Sequence, residues 1–274
     1  MIFVGNEINY SQEGIVEQNQ KKPIQEIKTM KKILNLIAGL SALGMVSTQA
    51  ATTYVGNGSI AWGGTVGNGN IVIDDTSSGV LTFTVNATTP GNAFVLYIDS
   101  KSGGFNSTAG FQDGADALRR AISGYDSTAN GGGVGKSTTL MPFSADYAIG
   151  VDAGWGGMWE LANGGDNSLI YRATALSGGF GSGSNVLTLN VSDFGLTANS
   201  GQSFNFFAMM VSPSGFTSPE FIGASSISGS NGWGNTQTVG TGSTYTLIPE
   251  PSSSLLMGLG LAGLAVLRRT RKNA

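Results

Sequence analysis

Short runs of β-forming residues, separated by clusters of glycine, serine, asparagine and aspartate, fill residues 51–248 and constrain the fold most. Most of the 43 glycines of the 274-residue chain lie in this segment. Such clusters form turns, whereas runs rich in valine, threonine and aromatic residues form strands. The segments 115–122 and 193–196 favour short helices. We expect strands at 71–73, 80–86, 93–99, 147–151, 157–161, 169–173, 186–191, 204–211 and 244–248.

Strands at this spacing, without long helices between them, predict one all-β domain over residues 51–248. Such a pattern is typical of a sandwich or a barrel, and we favour an antiparallel β-sandwich of jelly-roll-like type. No period of 20–50 residues recurs, which argues against a solenoid or propeller. We expect residues 231–242, which are polar and glycine-rich, to form a loop or stalk before the last strand.

The composition excludes several kinds of chemistry. The chain contains no histidine and no cysteine. It therefore has no disulfide, thiol nucleophile, Ser-His-Asp triad or imidazole base. Residues 51–248 carry five of the 14 basic and twelve of the 17 acidic residues. Because phosphate contacts need lysine and arginine, an acidic body argues against nucleic acid as a partner.

The N-terminal segment has the layout of a signal peptide over residues 30–50. Met30 and two lysines precede an apolar run at 33–46, and small residues follow up to Ala50 and Ala51. The run is shorter than the ~20 residues of a stable spanning helix, so we expect cleavage between Ala50 and Ala51 by signal peptidase. Residues 1–29 do not fit this layout. We interpret them as an over-extended start, with Met30 as the true first residue.

The C-terminal segment, residues 249–274, has three parts in order. Pro249, Glu250 and Pro251 form a stiff, extended tripeptide because proline restricts the backbone. Apolar residues then predict a transmembrane helix over 252–267, and a basic cluster including Arg268 and Arg269 follows. Such a cluster stays on the cytoplasmic side, which holds the body outside.

This tail resembles the PEP-CTERM sorting signal of Gram-negative bacteria that make exopolysaccharide. The resemblance implies recognition of Pro249, Glu250 and Pro251 by exosortase, a membrane cysteine transpeptidase, with Arg268 and Arg269 as the stop. It also implies an intermediate anchored in the inner membrane, and delivery to the outer surface or extracellular matrix.

A second resemblance concerns the body. The motifs Leu96-Tyr97-Ile98-Asp99 and Asp146-Tyr147-Ala148-Ile149, followed by an aromatic stretch at 155–159, are similar to those of DOMON-like and family-9-like carbohydrate-binding sandwiches. The resemblance implies ligand contacts near Asp99 and Asp146.

Trp155 and Trp159 are the strongest candidates for ligand binding. Positions four apart in a strand share one face, and exposed rings there would stack on sugars. The alternative is that one or both rings fill the core, and the same alternatives stand for Trp62 and Trp233.

The other motifs do not form a catalytic or metal site. Residues 130–138 nearly match a phosphate-binding loop, but Asn130 replaces its first glycine, so we interpret them as a flexible loop. Calcium ligation by turn aspartates such as Asp113, Asp116 and Asp152 stays open, although the spacing of a calcium loop is absent. Asp146 and Glu160 are the carboxylates that a glycosidase reading would use.

We therefore expect an exported, non-catalytic structural or adhesive protein of the cell surface or matrix, without cofactor or bound metal. The alternative hypothesis is a carbohydrate-binding module for exopolysaccharide, and a third hypothesis is a glycoside-active enzyme.

Overall fold

The computed structural model describes residues 51–76, 79–87, 91–181 and 184–249, together with 258, 260, 263 and 268. The described residues up to Pro249 belong to one compact unit. Residues 1–29, the predicted signal peptide with its cleavage residue Ala50, and most of the predicted transmembrane segment 252–267 lie outside the described residues, as do Glu250, Pro251 and Arg269. Arg268 and the other described residues beyond 249 are helical.

The first sheet has the strand order β1-β2-β3-β12 and is antiparallel throughout its described strands. Its strands are β1 Thr52–Val55, β2 Asn70–Asp75, β3 Val80–Asn86 and β12 Ser184–Asn190. Buried and more exposed residues alternate along β2, β3 and β12. This alternation places one face of the sheet in the core.

The second sheet has the order β11-β10-β9-β4-β13-β14, and β17 pairs with the free half of β13. Strands β4, β9 and most of β13 are buried on both faces, as the apolar sequence of 93–99 predicts. Its strands are β4 Ala93–Asp99, β9 Tyr147–Val151, β10 Trp155–Glu160, β11 Ile170–Ser177, β13 Ser203–Val211, β14 Thr217–Ile222 and β17 Ser243–Thr246.

The third sheet has the order β15-β16-β8-β5, and its β16–β8 pair is parallel. Its strands are β5 Phe105–Ser107, β8 Thr138–Ala145, β15 Ile227–Gly229 and β16 Thr236–Val239. Near it in the chain are helices α1 Ala117–Ser123 and α2 Ala129–Gly132 and the short pair β6 Tyr125–Asp126 and β7 Gly135–Lys136. A 3-10 helix spans Val191–Phe194.

Two hydrophobic clusters cover the two faces of the second sheet. One cluster joins it to the first sheet through residues such as Phe83, Leu187 and Ile149. The other joins it to α1 and the third sheet through residues such as Trp159 and Ile122. The body therefore has a two-sheet part, packed as a β-sandwich is, and an additional layer on the opposite face.

The all-β prediction is confirmed, and the jelly-roll-like connectivity stays a prediction. The expected loop at 231–242 is wrong in part, because β16 lies within it and pairs with β8. The parallel partner is distant in sequence, so local polarity did not reveal the strand. Among the described residues, no helix is both long and apolar enough to cross a membrane.

Candidate functional site

An aromatic cluster of Trp155, Trp159 and Tyr171 lies on neighbouring strands β10 and β11. The ring centroids of Trp155 and Trp159 are 5.6 Å apart, and those of Trp159 and Tyr171 are 5.9 Å apart. Gly157 lies between the two tryptophans, and a Cβ there would come within 2.7 Å of both rings. The glycine therefore lets both rings lie over the strand.

The two tryptophans nevertheless have different environments. Trp159 is 1% exposed and packs in the cluster that contains Leu118 and Ile122 of α1, whereas Trp155 is 38% exposed. Tyr171, which the sequence reasoning missed, is 45% exposed, and its ring centroid is 6.2 Å from that of Trp155. A ligand can therefore reach the side chains of Trp155 and Tyr171, and the buried ring of Trp159 packs against both of them.

Asp99 and Asp146 lie together at one end of the second sheet. The carboxylate of Asp146 is buried, and its Oδ2 accepts hydrogen bonds from the backbone of Ser100 and Lys101, each 2.9 Å long. Asp99 accepts from Asn205, and burial together with the charge of Asp146 raises the pKa of Asp99. Asp146 thus holds the turn after β4, and a ligand-binding role for the two aspartates stays a prediction.

The other aspartates considered for calcium have structural partners. Asp113 binds Arg119, Asp116 caps α1, and Asp152 accepts from the backbone of Gly154 and Trp155. Among the described residues, no group of three or more acidic side chains could hold a metal ion.

An exposed ionic cluster surrounds Glu160. Its carboxylate pairs with the Arg172 guanidinium and, at 2.9 Å, with the Lys101 ammonium. These hydrogen bonds hold the pKa of Glu160 below its usual range. The Lys101 ammonium also lies 4.8 Å from the centroid of the Tyr147 ring. Because Glu160 stays ionised and paired, its environment is unlike that of a general acid, which needs a raised pKa.

Lys136, the lysine of the segment that nearly matches a phosphate-binding loop, has a structural role. Its ammonium donates to the carbonyls of Thr108, Phe111 and Ser123 at 2.6–2.9 Å. Burial lowers its pKa to about 8. The flexible-loop interpretation is therefore wrong at this residue. Lys136 belongs to β7 and connects that strand with the segment containing Thr108 and Phe111 and with Ser123.

Two buried carboxylates hold loops in place. Glu220 is fully buried on β14, and it accepts hydrogen bonds from four backbone amides of the loop between β1 and β2. Asp113, also fully buried, accepts from the amides of Asn167 and Leu169 and from Arg119 at 2.7 Å. Sequence reasoning missed both roles, because the bonded amides lie tens of residues or more away.

Core contacts and hydrogen bonds fix the C-terminal end of the body as far as Ile248, the residue before Pro249. Leu247 is buried in the core, and the amide of Ile248 donates to Asp75 Oδ2 at 3.0 Å. Asp75 Oδ1 accepts a 2.5 Å hydrogen bond from Tyr245 of β17, and burial and this carboxylate raise the pKa of Tyr245. Pro249 itself is exposed. The hydrogen bonds and core contacts of the described body thus continue to the residue before the Pro-Glu-Pro tripeptide.

Comparisons with known proteins identify this tail. Residues 247–272 match the model of the PEP-CTERM protein-sorting motif. The chain thus carries this motif, which implies export through a membrane-anchored intermediate and exosortase as the processing partner. No curated protein and no solved structure shows a significant match. The similarity of the body to DOMON-like and family-9-like sandwiches therefore stays a prediction.

Proposed function

We propose that the protein is a non-catalytic structural or adhesive component of the outer surface or extracellular matrix, delivered there by exosortase-dependent sorting. The junction at Ile248 and Pro249 carries the proposal. Within the described residues, the last hydrogen bonds of the body, from Ile248 to Asp75 and from Leu247 to the Gln202 carbonyl, precede the tripeptide directly. Processing C-terminal to Pro249 therefore removes none of these contacts, and the β-body is the product that reaches the surface.

The use of the buried charged side chains supports a non-catalytic role. Glu220, Asp113 and Lys136 each bind backbone groups of other segments. A catalytic acid or base needs to reach a proton on the substrate, which these groups do not do in this arrangement. They stabilise loops instead, which suits a structural or adhesive protein that has to stay folded.

Deletion of residues 255–272 tests the sorting step. We expect the deleted protein to be released or misrouted, as judged by fractionation of cells, membranes and medium. Pro249→Ala, at the first residue of the tripeptide, should misroute the protein as the deletion does. The exposed Pro142→Ala, which lies outside the motif, is its matched control and should leave localisation unchanged. Unchanged localisation after the deletion would contradict the proposal. Polysaccharide turnover that is lost in Asp146→Asn or Glu160→Gln would contradict the non-catalytic part.

A second candidate function is carbohydrate binding, and the exposed Trp155–Tyr171 pair favours it. Adjacent exposed aromatic rings present flat apolar faces on which sugar rings stack. The buried Trp159 contacts both rings and fixes their positions, so little conformational freedom is lost on binding.

Binding of the purified protein to the exopolysaccharide of its producing cells tests this second function. We expect Trp155→Ala to weaken binding roughly tenfold or more, as for an aromatic residue at the centre of a binding surface. Ile170→Ala, an exposed apolar change on the same strand as Tyr171, is the matched control and should bind as the wild type does. Equal binding by Trp155→Ala and Ile170→Ala would exclude the aromatic pair.

A further inference from the structure

Three aromatic rings from loops that are far apart in the chain form a row, called the aromatic row below. Trp62 lies in the loop between β1 and β2, Phe216 directly before β14, and Trp233 between β15 and β16. The ring centroids of Trp62 and Phe216 are 6.0 Å apart, and those of Phe216 and Trp233 are 5.4 Å apart. Trp62 and Trp233, for which the sequence leaves core and surface open, therefore belong to one cluster.

The aromatic row is accessible from solvent. All three of its residues are half-buried, so each keeps a part that a ligand can reach. Exposed apolar side chains lie beside them in the chain. Ile60, two positions before Trp62, is 71% exposed. Val134 is 58% exposed and precedes Gly135, which lies against the Trp233 ring. Aromatic residues are enriched at interfaces, and neighbouring apolar groups on a surface mark binding sites.

Glycines make room for the rings of the row, as one does between the two tryptophans of β10. A Cβ at Gly232 would overlap the Phe216 ring. A Cβ at Gly135 would come within 2.8 Å of Trp233 Nε1. The same Nε1 donates to the Ser214 carbonyl at 3.3 Å, so the polar edge of the indole has a partner inside the protein. The rings are thus held in place before a ligand arrives, which lowers the entropy lost on binding.

The aromatic row lies at the same end of the second sheet as Trp155. Trp155 is the first residue of β10, and Phe216 directly precedes β14. Val151 at the end of β9 and Val211 at the end of β13 both pair with the first two residues of β4. Val211 also pairs with the first residue of β14. Because three strands separate β10 from β14, the two aromatic surfaces are about 19 Å apart across the sheet.

We propose that the aromatic row is a second stacking surface for the sugar rings of a polysaccharide. The proposal extends the carbohydrate-binding function of the Trp155–Tyr171 pair and rests on it. Two surfaces of the same construction at one end of a sheet favour a ligand that repeats. A polysaccharide presents the same apolar sugar faces many times along its chain, so one chain can contact both surfaces, which a disaccharide is too short to bridge. Two contacts on one chain give a higher affinity than either contact alone.

Nuclear magnetic resonance of the isotope-labelled full-length protein tests whether sugars reach the row. The chain has four tryptophans, so it has four indole N–H signals, which single Trp→Phe variants assign. The probe is the disaccharide fraction of exopolysaccharide purified from the producing cells. We expect it to shift the signals of Trp62 and Trp233 as well as that of Trp155. In Trp155→Ala the shifts at the row should persist, because a disaccharide occupies each surface independently.

Co-sedimentation with the intact exopolysaccharide tests the contribution of the row to affinity. Trp233→Ala should weaken binding roughly tenfold or more, and Val186→Ala, an exposed apolar change on β12, should not. If Trp233→Ala does not fold, Ala61→Glu decides, since it adds a charge at an exposed position beside Trp62 and removes no ring. Ala109→Glu, the same change at an exposed position after β5, is its control.

The outcomes separate this inference from the function on which it rests. Binding that is lost in Trp155→Ala but unchanged in Trp233→Ala and Ala61→Glu would overturn the inference and leave carbohydrate binding by the Trp155–Tyr171 pair in place. A wild-type protein that neither sediments with the exopolysaccharide nor shows indole shifts would overturn both. Shifts at Trp62 and Trp233 together with weaker binding of Trp233→Ala would support the inference.

Discussion

The two faces of the second sheet are covered in different ways. On one face the first sheet packs with regular antiparallel ladders, such as the seven consecutive pairs that join β3 and β12. On the other face lie α1, the third sheet and long loops. There the backbone groups of the loops bind buried charged side chains, as at Asp113, Arg119 and Lys136.

The difference shows two ways of satisfying backbone hydrogen bonds in one domain. Strands satisfy them with each other, so their side chains are free to be apolar on the inner face. Loops lack this pairing, and a buried loop needs side chains as partners. Removing a buried apolar side chain should therefore weaken the packing of a strand ladder such as β3–β12, whereas removing a buried charge should weaken the loops whose backbone groups it binds.

The largest expected effect is at Asp113 on the loop-rich face. Asp113→Ala leaves Arg119 and the amides of Asn167 and Leu169 without this partner, so we expect a loss of about 3–5 kcal/mol in the free energy of unfolding. Urea denaturation followed by circular dichroism measures it. Asp116→Ala, at the more exposed cap of α1, should cost about 1 kcal/mol. Equal losses in the two variants would contradict the role of Asp113.

On the face covered by the first sheet, Leu187→Ala should cost about 2–5 kcal/mol in the same urea measurement, because it leaves a cavity in a fully buried position of β12. Thr188→Ala, next to it on the outer face, should change stability by no more than about 0.5 kcal/mol. A similar loss in both variants would mean that the alternation of β12 does not determine its packing.

Lys136 should make the stability of the loop-rich face depend on pH. Burial lowers its pKa to about 8 in the folded protein, against about 10.4 in the unfolded chain. The unfolded state therefore binds more protons between these values, and stability should rise as pH increases from 8 towards 10. The chain has no histidine or cysteine that would titrate in this window.

Urea midpoints of the wild type and of Lys136→Met, measured at pH 7.5, 8.5 and 9.5, check this prediction. We expect the wild-type midpoint to rise over this interval and that of the variant to stay level or fall slightly, because burial raises the pKa of Tyr97 and Tyr245 in the folded protein. Parallel profiles for the two proteins would show that Lys136 keeps its proton throughout.

The smallest expected effect is at the exposed pair of Arg172 and Glu160. Arg172→Ala should change the free energy of unfolding by less than about 1 kcal/mol, because solvent screens exposed ion pairs. Thermal unfolding measures the change, and Asp113→Ala, which removes the buried ion pair with Arg119, is the comparison. A loss as large as that of Asp113→Ala would remove the distinction between the two ion pairs.

The sequence predicted the strands whose pattern is local. The alternating segment 186–191 and the apolar segment 93–99 correspond to β12 and β4. The strands β8, β14 and β16 were missed, since Pro142 and Pro219 interrupt the first two and polar residues dominate the third. Their strand conformation depends on partners that are far away in the chain, which no local pattern records.

The candidate site was predicted in part for the same reason. Spacing alone placed Trp155 and Trp159 on one face, and their rings are in contact. Tyr171 joins them only because β11 pairs with β10, and its own surroundings in the sequence do not single it out.

The sequence by itself determined the sorting of this protein, because a sorting signal is read as a linear segment. The order of Pro249, Glu250 and Pro251, an apolar run and a basic cluster needs no tertiary contact to be recognised. Only the tertiary structure decided which surface the body presents. Trp159 is buried because α1 and Gly150 of β9 lie against its ring, whereas Trp155 is exposed. Burial is a property of neighbours in space, and these neighbours come from other strands and from a helix.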